Sequence, residues 1–471
     1  MRKTKIICTI GPACEDEETL TKMCMAGMNV ARLNFSHGTH EEHKKKIELI
    51  KMVRERLGLP IAIMLDTKGP EYRIGMFENK SVSLKEGDRF IFTTDDVMGN
   101  TQMVSVNYKH LTEELSAGDT VTVNNGLVVF QVDHIENSNV VCTVQVGGVL
   151  SDKKSMSFPN KVLHHAFLSD QDKSDLIFGL ENEIDFVAAS FVSTGSDVKE
   201  LREYMDAHNG ADVDIIAKIE NRAGVDNIDD ICQIADGIMV ARGDLGVEIP
   251  FVEVPSIQKY LIKKCRLLGK RVITATEMLE SMIYNPRPTR AEISDVANAV
   301  YDGASAIMLS GETAAGKYPV EAVKSMAEIA HFTEQRIDYK HWFATTEYKI
   351  KNNLDAISHA TCSMAIDVNA KCIVVNSLSG KTVRMVSRFR CPADILGVTT
   401  NQRAWRQLNL SWGVVPVMSE EYKSLDIVFY QALNFAARIF SLRSGDNVVL
   451  TGGMINGHSG NTDTIKVESI K

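Results

Sequence analysis

The sequence predicts an α/β protein: a (β/α)8 barrel with an inserted β-rich lid domain and a C-terminal doubly wound α/β domain. Before Tyr339, and leaving out residues 72–167, eight short apolar runs rich in β-branched residues each precede a helical segment. In residues 72–167, apolar and polar residues instead alternate with a period of two, and Val, Thr, Asp and Gly are abundant. Polar clusters follow the eight runs, at the end of the strands where such a barrel forms its active site.

The composition is that of a globular protein that binds neither nucleic acid nor membrane. Of the 471 residues, 44% are hydrophobic and 24% charged, and the formal net charge is −9. This charge disfavours general binding to nucleic acid or to an anionic membrane surface. No apolar run approaches the ~18 residues of a membrane span, and the start does not resemble a signal peptide. The nine cysteines form no CxxC pair, so we expect a cytoplasmic protein without disulfides or zinc.

The first three predicted strands each end in polar residues. Pro12 follows the first strand, Arg32 and Asn34 stand at the end of the second, and Asp66 follows the third. Because parallel strands end at one face of a barrel, we expect these side chains to lie close together. The predicted elements of this part are Lys5–Ile10, Asp16–Met25, Asn29–Leu33, His40–Leu57 and Ile61–Leu65.

The strand–helix alternation resumes after the lid, whose period-two runs include Thr120–Val132 and Val140–Val146. Polar residues again follow the strands, among them Thr276 and Glu312. The predicted elements here are the helices Ser169–Leu180, Gly195–His208, Ala223–Ile234, Val254–Leu268, Thr289–Val300 and Val320–Arg336, and the strands Asp185–Phe191, Ile215–Ile219, Ile238–Ala241, Arg271–Ala275 and Ser305–Leu309.

The stretch 214–250 carries the clearest chemical signal. Alternate residues of a strand share a face, so Lys218 and Glu220 point the same way. The next strand ends beside Asp244, which brings a second carboxylate to the same end of the barrel. One cation and two carboxylates suit a hard divalent metal next to an anionic substrate. On these residues alone, a structural Lys218–Glu220 pair with Asp244 as a helix cap is an equal alternative.

The last stretch, 350–471, predicts a small doubly wound domain. A strand at Cys372–Val375 leads into a loop with Ser377, Ser379, Lys381 and Thr382, and then into a helix at Val383–Phe389. Hydroxyls, a cation and helix-terminal amides suit a phosphate group, although the two serines in a purely capping role are an alternative. The predicted helix before this loop is Leu354–Asn369, and further strands are Ile395–Thr399 and Val448–Thr451. We place the domain boundaries at 1–70, 71–167, 168–343 and 344–471, the first and third segments forming the barrel.

Seven motifs make the chain resemble the pyruvate kinase family over nearly its whole length. They are ARLNFSHG (31–38), LDTKGPE (65–71), KIEN (218–221), MVARGDLGVEI (239–249), ATEMLESM (275–282), NPRPTRAE (285–292) and MLSGETAAGKYP (308–319), in the family's order and spacing. The resemblance implies a homotetramer that transfers phosphoryl from phosphoenolpyruvate to ADP, giving pyruvate and ATP. It also implies a sugar-phosphate effector at the loop with Ser377, Ser379, Lys381 and Thr382, closed by Gly457–Thr462.

The resemblance also assigns roles to individual residues. Glu220 and Asp244 match the ligands of Mg²⁺ or Mn²⁺, and Arg32 and Lys218 match the cations facing the transferred phosphoryl group. Thr276 matches the residue near which the enolate gains its proton, and backbone amides around Gly243 match the binding site of the substrate carboxylate. The potassium ligands implied are Asn34, Ser36, Asp66 and Thr67, and the nucleotide contacts are Pro12, Asn34, His37 and Arg73. Glu71 matches family members that depend on a monovalent cation, whereas lysine there accompanies independence.

Some residues depart from the family pattern. Asn124-Asn125 replaces a pair that is usually acidic, and Ser193-Thr194 replaces a pair that is commonly basic. The lid's return around His164 and His165 is also atypical. These changes bear on nucleotide affinity and lid closure. His40 and His43 have the spacing of metal ligands, but their charged neighbours predict that they lie on a solvated helix face.

Two other functions stay open at this point. A different metal-dependent barrel enzyme acting on enolpyruvate or oxaloacetate would release pyruvate without ADP. A degenerate paralogue could serve only as a binding module, which retention of Arg32, Lys218, Glu220, Asp244 and Thr276 argues against.

Overall fold

Eight parallel strands form a closed barrel in this computed structural model, which describes residues 1–159, 161, 166–422, 424–453 and 462–471. Neighbours along the chain pair in order, and the eighth strand pairs with the first. The fold-class prediction is therefore confirmed. We number the barrel strands 1 to 8: Lys5–Thr9, Val30–Asn34, Ala62–Asp66, Phe186–Ala189, Asp214–Ile219, Gly237–Ala241, Arg271–Ala275 and Ala306–Leu309.

The barrel helices begin where the sequence provides capping residues. Thr39, Ser169, Thr194 and Thr289 each accept from the backbone three residues on, and a Glu or Asp there bonds back to the cap. Ser169 and Thr289 were predicted as the first helical residues and are caps instead. The predicted helix Ala223–Ile234 is two helices that meet at Asn227. The barrel helices are Glu17–Ala26, His40–Leu57, Asp170–Glu181, Gly195–Ala207, Arg222–Asp226, Ile228–Ile234, Arg242–Glu248, Val254–Leu268, Arg290–Asp302, Gly311–Ala314 and Pro319–Glu334, with single 3₁₀ turns at Phe251–Glu253 and Glu280–Ile283.

Between barrel strand 3 and the helix Asp170–Glu181, the chain forms the lid. Its largest sheet has six strands around a core that includes Phe90, Phe92 and Phe130. The predicted alternation over Thr120–Val132 is two antiparallel strands joined by a tight turn. In chain order the lid elements are strands Ser81–Leu84, Arg89–Thr93 and Met103–Ser105, helix Leu111–Glu114, and strands Thr120–Val123, Val128–Glu136, Asn139–Val146, Gly148–Ser151 and Met156–Ser157.

The C-terminal part is a five-stranded sheet with an apolar cluster on each face, so the doubly wound prediction is confirmed. Beyond residue 350, four of its elements were not predicted: helices Gln402–Leu408 and Leu425–Phe440, and strands Val414–Met418 and Thr462–Ser469, the two edges of the sheet. The other elements are helices Tyr339–Thr345, Asn353–Asp367 and Lys381–Ser387, and strands Cys372–Asn376, Asp394–Thr399 and Asn447–Gly453. The boundary proposed at 343 falls inside helix Tyr339–Thr345, and the boundaries stay predictions.

The C-terminal part packs against the N-terminal end of the barrel strands. Leu410 is fully buried in the apolar cluster that fills the barrel, beside Ile7 and Val30. Lys5 Nζ donates to the carbonyl oxygen of Val414 at 2.6 Å. One end of the barrel is therefore covered, and the carboxyl ends of the strands face the lid. Within the residues described, no helix has both the length and the apolar character that crossing a membrane requires.

Candidate active site

A cavity of about 340 Å³ lies between the carboxyl ends of the barrel strands and the lid. Barrel strands 2 and 5 and the segment after strand 6 contribute Arg32, Lys218, Glu220 and Asp244 to its wall. The lid closes it with polar residues and with Phe158. Of the residues proposed from sequence, those lining the cavity are Arg32, Asn34, Ser36, His37, Arg73, Lys218, Glu220 and Asp244.

The floor of this cavity is a buried ion cluster. Lys218 Nζ lies 2.8 Å from Glu220 Oε1 and 3.1 Å from Asp66 Oδ1. The other Asp66 oxygen accepts a hydrogen bond from Arg32 Nε at 2.6 Å, and Arg32 Nη1 donates to Thr9 at 2.9 Å. Two cations and two carboxylates thus hold one another in place at the end of barrel strands 2, 3 and 5. The prediction that Lys218 and Glu220 share a face agrees with this geometry.

The charges in this cluster shift one another's pKa values. Burial alone would lower the pKa of Lys218, but the carboxylates of Asp66, Glu220 and Asp244 outweigh it and raise that pKa. Burial raises the pKa of Glu220 to about 7, against the opposing effect of Lys218 and with a further rise from Asp244. The pKa of Asp66 is lowered, since Arg32 and Lys218 together exceed the effect of its burial. Lys218 is therefore a fixed positive charge facing the cavity.

Glu220 and Asp244 are chemically suited to a divalent cation. Glu220 Oε2 accepts from the amide of Phe191 at 2.6 Å, whereas Oε1 is buried and, although close to Lys218, accepts no aligned hydrogen bond. The side chain of Asp244 is exposed in the cavity wall and makes no hydrogen bond or ion pair with any residue described. Oxygen ligands of this kind suit Mg²⁺ or Mn²⁺. Among the described residues no cluster of three or more His, Cys, Asp or Glu forms a metal site, so substrate oxygens and water would have to complete the coordination.

Comparison with known proteins identifies the family of this fold and cavity. The family model described as pyruvate kinase, barrel domain, matches residues 1–323, and the model described as pyruvate kinase, alpha/beta domain, matches residues 355–468. The chain belongs to the pyruvate kinase family. It is accordingly a phosphotransferase, as the motifs predicted.

Individual relatives match over all or nearly all of this chain. The pyruvate kinase of Clostridium acetobutylicum is 45% identical, with 100% of both chains covered. That of Geobacillus stearothermophilus is 47% identical over 100% of this chain and 80% of the relative. A crystal structure of a pyruvate kinase from Cryptosporidium parvum superposes with a TM-score of 0.95 at 39% identity, covering 99% of this chain and 96% of the other.

Thr276 and Gly243, matched to substrate contacts of the pyruvate kinase family, meet beside barrel strands 6 and 7. The amide of Gly243 donates to Thr276 Oγ1 at 2.8 Å, and the same hydroxyl donates to the carbonyl oxygen of Ala275 at 2.6 Å. Thr276 has φ +68° and Glu277 φ +52°, a region that β-branched residues rarely occupy. The turn after strand 7 therefore holds Thr276 in an unfavourable backbone conformation. Backbone strain of this kind is concentrated at functional sites.

The four residues matched to potassium ligands are only partly brought together. Asn34 and Asp66 are neighbours across barrel strands 2 and 3, and Ser36 donates its amide to Asn34 Oδ1 at 3.1 Å. Both oxygens of Asp66 are engaged by Arg32 and Lys218. Thr67 is buried beneath the cavity, where its hydroxyl accepts from the amide of Ser190.

The residues matched to nucleotide contacts are also divided. His37 and Arg73 line the cavity, and Arg73 pairs with Glu71, which is also 3.1 Å from Lys68. Pro12 follows barrel strand 1 and is not part of the cavity wall. The nucleotide assignments therefore rest on the family motifs, with geometric support for three of them, Asn34, His37 and Arg73.

The departures from the family pattern have local structural roles. Asn124 and Asn125 have φ +58° and +56° at the tight lid turn, a conformation that asparagine tolerates well. Thr194 caps the following helix, and the amide of Ser193 donates to Asp197 at 2.8 Å. The two asparagines thus suit the backbone conformation of the turn, and Ser193 and Thr194 form the start of the following helix. His164 and His165 lie outside the described residues.

The prediction of a solvated helix face was wrong for His43. His43 is buried, stacks on Phe35 with ring centroids 3.9 Å apart, and bonds through Nε2 to the carbonyl oxygen of His37. His40 lies 2.6 Å from Asp175 and stacks on Phe178 but keeps part of its side chain in solvent. Of the two histidines, only His43 is therefore turned fully toward the barrel.

The loop proposed for a phosphate lies next to the C-terminal edge strand. Gly380 occupies the cap position of helix Lys381–Ser387 with φ +73°, so the cap residue itself provides no side-chain hydrogen bond. Both the phosphate site and the alternative in which Ser377 and Ser379 only cap the helix stay predictions. Thr382 is buried, with its hydroxyl 2.6 Å from that of Thr462. Residues 457–461 of the second loop lie outside the described part of the chain.

Two residues of the site were missed from sequence. Ser190 follows barrel strand 4, accepts from Lys218 Nζ at 2.8 Å and donates to the carbonyl oxygen of Thr67 at 2.7 Å. The predicted strand Asp185–Phe191 included Ser190, so its position just after the strand was not visible from the sequence. Glu248 accepts hydrogen bonds from Ser157 and the amide of Phe158 in the lid. No pattern in the sequence indicates that Glu248 contacts Ser157 and Phe158 of the lid.

We predict that lid docking depends on the protonation of Glu248. Burial raises the pKa of Glu248 to about 7 from an ordinary value of 4.5, so the docked state binds the proton more tightly. Its contribution to docking is fully present below 4.5 and is lost as pH rises through about 7. Hydrogen exchange of the lid segment around Met156, corrected for intrinsic rates, should therefore show less protection at pH 8 than at pH 5. Glu248→Gln should remove this dependence, whereas the exposed lid variant Glu136→Gln should keep it; the same pH profile in all three proteins would contradict the assignment.

Proposed function

We propose that this chain transfers the phosphoryl group of phosphoenolpyruvate to ADP and then protonates the enolate to pyruvate. The observation that carries the proposal is the charged floor of the cavity, where Arg32 and Lys218 lie beside Glu220 and Asp66 at the carboxyl ends of the barrel strands. Phosphoryl transfer needs positioning and neutralisation of charge more than covalent help from the protein. A fixed pair of cations supported by buried carboxylates provides both.

The roles of the side chains follow from their surroundings. Lys218 stays charged because three carboxylates raise its pKa, so it can neutralise the phosphoryl group as it moves between oxygens. Arg32, in barrel strand 2, donates hydrogen bonds to Asp66 and Thr9, which fix its guanidinium group in place. Glu220 and Asp244 would hold Mg²⁺ or Mn²⁺, which supplies Lewis-acid stabilisation of the enolate oxygen. Gly243 and Thr276 bind the substrate carboxylate and orient the proton donor in this proposal.

The direct test is release of pyruvate from phosphoenolpyruvate, measured with ADP present and with ADP omitted. The proposal predicts turnover only when ADP and a divalent cation are both supplied. Equal release without ADP would favour a different enolpyruvate or oxaloacetate enzyme, and no release in either case would favour a binding module.

Loss of the Lys218 charge should affect turnover far more than binding. A preorganised group facing charge that develops in the transition state contributes roughly 10²–10³ in rate. We therefore expect Lys218→Met to lower kcat by that factor while the KM for phosphoenolpyruvate changes little. Lys199→Met removes a lysine from an exposed helix and should leave kcat unchanged. A Lys218→Met enzyme with more than about a tenth of normal turnover would rule out this role.

Potassium should activate the enzyme. The support is the set of oxygen atoms on Asn34, Ser36, Asp66 and Thr67 and the presence of Glu71, which in the family accompanies monovalent-cation dependence. Glu71 lies in the cavity wall, so Glu71→Lys would place a permanent positive charge where a bound potassium ion otherwise acts. We expect that variant to need potassium less than the wild type.

The measurement is turnover in potassium buffer and in tetramethylammonium buffer of equal ionic strength. Glu78→Lys makes the same change of charge at an exposed lid position and should keep the dependence. Wild-type activity that is equal in the two buffers would refute the potassium site.

The proposal includes a homotetramer. Exposed apolar side chains on the segments after barrel strands 6 and 7 support one interface: Phe251, Val252, Tyr260, Tyr284, Ile293 and Tyr301. Ile427 and Tyr430 on helix Leu425–Phe440 and Val467 on the edge strand support another. Large exposed apolar patches mark protein interfaces, and two separate isologous interfaces build a tetramer with dihedral symmetry.

We also propose that a sugar phosphate binds the loop containing Ser377, Ser379, Lys381 and Thr382. An activator must bind one conformation better than another, so it should lower the phosphoenolpyruvate concentration required for half-maximal rate. Thr382→Glu adds a charge that repels phosphate and should abolish activation by sugar mono- and bisphosphates. Thr345→Glu adds the same charge on an exposed helix and should not. Activation that survives in a folded Thr382→Glu enzyme would place the effector elsewhere.

A further inference from the structure

A second cavity, of about 600 Å³, lies at the opposite end of the barrel from the active site. Helix His40–Leu57 and the loop that follows it form one wall, and helix Gln402–Leu408 of the C-terminal part forms the other. Arg54 and Trp405 face it from these two walls. The potassium, nucleotide and effector residues discussed above are all absent from its lining.

Two buried arginines in this cavity have unused hydrogen-bond donors. Arg54 is 8% exposed and Arg406 is 9% exposed. Arg54 Nη1 donates to the carbonyl oxygen of Ile61 at 3.1 Å, and Arg406 Nε donates to Asp185 Oδ1 at 2.7 Å. Arg54 Nη2 and both Nη atoms of Arg406 make no hydrogen bond with any described residue. Guanidinium donors in this position are arranged for an oxyanion.

The buried charges of the cavity do not balance. Asp185 is the carboxylate between the two arginines, 2.7 Å from Arg406 and 3.9 Å from Arg54. Burial lowers the pKa of Arg54 and the positive charge of Arg406 lowers it further, while the carboxylates of Asp185, Glu55 and Glu183 act in the opposite direction. Two buried arginines and one buried aspartate leave one buried positive charge in excess. Uncompensated buried charge is unfavourable, so an anion between the two guanidinium groups would stabilise the pair.

The remaining charged groups around the cavity neutralise one another or face solvent. Lys51 pairs with Glu183 at 2.6 Å, and Arg403 with Asp212 at 3.6 Å. Glu55 is exposed at the rim, where water and salt screen its charge. The excess of one positive charge therefore belongs to the inner part of the cavity.

Trp405 provides a flat apolar surface in the cavity wall. Its indole Nε1 donates to the carbonyl oxygen of Pro416 at 3.2 Å, which fixes the ring, and the side chain is half-buried. An indole face of this kind stacks with planar groups. We propose that this cavity is a binding site for a small ligand in which a phosphate or carboxylate group, bound between Arg54 and Arg406, is attached to a planar ring that stacks on Trp405.

The test uses adenosine monophosphate, adenosine and inorganic phosphate as probes, with binding measured by calorimetry and by tryptophan fluorescence. The site should bind adenosine monophosphate more tightly than either part alone, with quenching of Trp405. Arg54→Gln should weaken binding about tenfold to a hundredfold, the usual effect of a charge-assisted hydrogen bond. Arg56→Gln removes an exposed arginine from the same helix and should have no effect. Trp405→Phe should remove the quenching and keep most of the affinity, whereas Trp405→Ala should lose both.

The other phosphate-binding regions are distinguished in the same experiment. Binding to the second cavity should persist in Arg73→Gln and in Thr382→Glu, which alter the nucleotide contacts of the active site and the effector loop. Equal affinity in Arg54→Gln and Arg56→Gln, with Trp405→Ala also unchanged, would overturn the proposal. So would loss of binding in Arg73→Gln or Thr382→Glu alone, or absence of binding to the wild type at about 1 mM probe. Thermal melts of each variant would exclude loss of fold as the cause.

Discussion

The ion cluster of Arg32, Asp66, Lys218 and Glu220 is the interaction on which the site depends. Each of its charges is buried, so removal of one partner would leave another uncompensated, at a typical cost of about 3–5 kcal/mol. The cluster is stable because barrel strands 2, 3 and 5 bring its members together at their carboxyl ends. The same arrangement keeps Lys218 charged and immobile, which is the condition for stabilising a transferring phosphoryl group without reorganisation.

The barrel connects this cluster with both of the parts that cover it. At the active-site end, Asp244 and Glu248 lie on one short helix, and Glu248 bonds to the lid near Phe158. At the other end, Asp185 precedes barrel strand 4 and bonds to Arg406 of the C-terminal part. Ser190, directly after the same strand, bonds to Lys218. One four-residue strand therefore joins the second cavity to the catalytic cluster.

Local sequence patterns were sufficient for the barrel and for the charged residues Arg32, Lys218, Glu220 and Asp244 of the cavity wall. Period-two alternation placed Lys218 and Glu220 on one face, and strand ends placed Arg32 and Asp244 near them. The burial of a side chain against distant parts of the fold could not be predicted from such patterns. His43 has charged neighbours in sequence yet is buried against Phe35, because its helix turns that face toward the barrel.

The C-terminal part shows another limit of local patterns. Strand Val414–Met418 contains Pro416, which argues against a strand, but the structure places it at the edge of the sheet where a missing amide is tolerated. Ser190 and Glu248 could not be assigned because their partners are far away in the chain. The family motifs added roles for Thr276 and Gly243, and the geometry added the contact between them.

The central claim is that Glu220 and Asp244, beside the charged Lys218, form the divalent-cation site. Titration of Mn²⁺ into the protein, followed by electron paramagnetic resonance of the free ion, tests it most directly. The account predicts one such site per chain that weakens at least about tenfold in Glu220→Gln and in Asp244→Asn, as loss of a ligand charge should. Glu253→Gln, which changes an exposed carboxylate nearby, should bind Mn²⁺ as the wild type does. Unchanged Mn²⁺ affinity in both ligand variants would contradict the account.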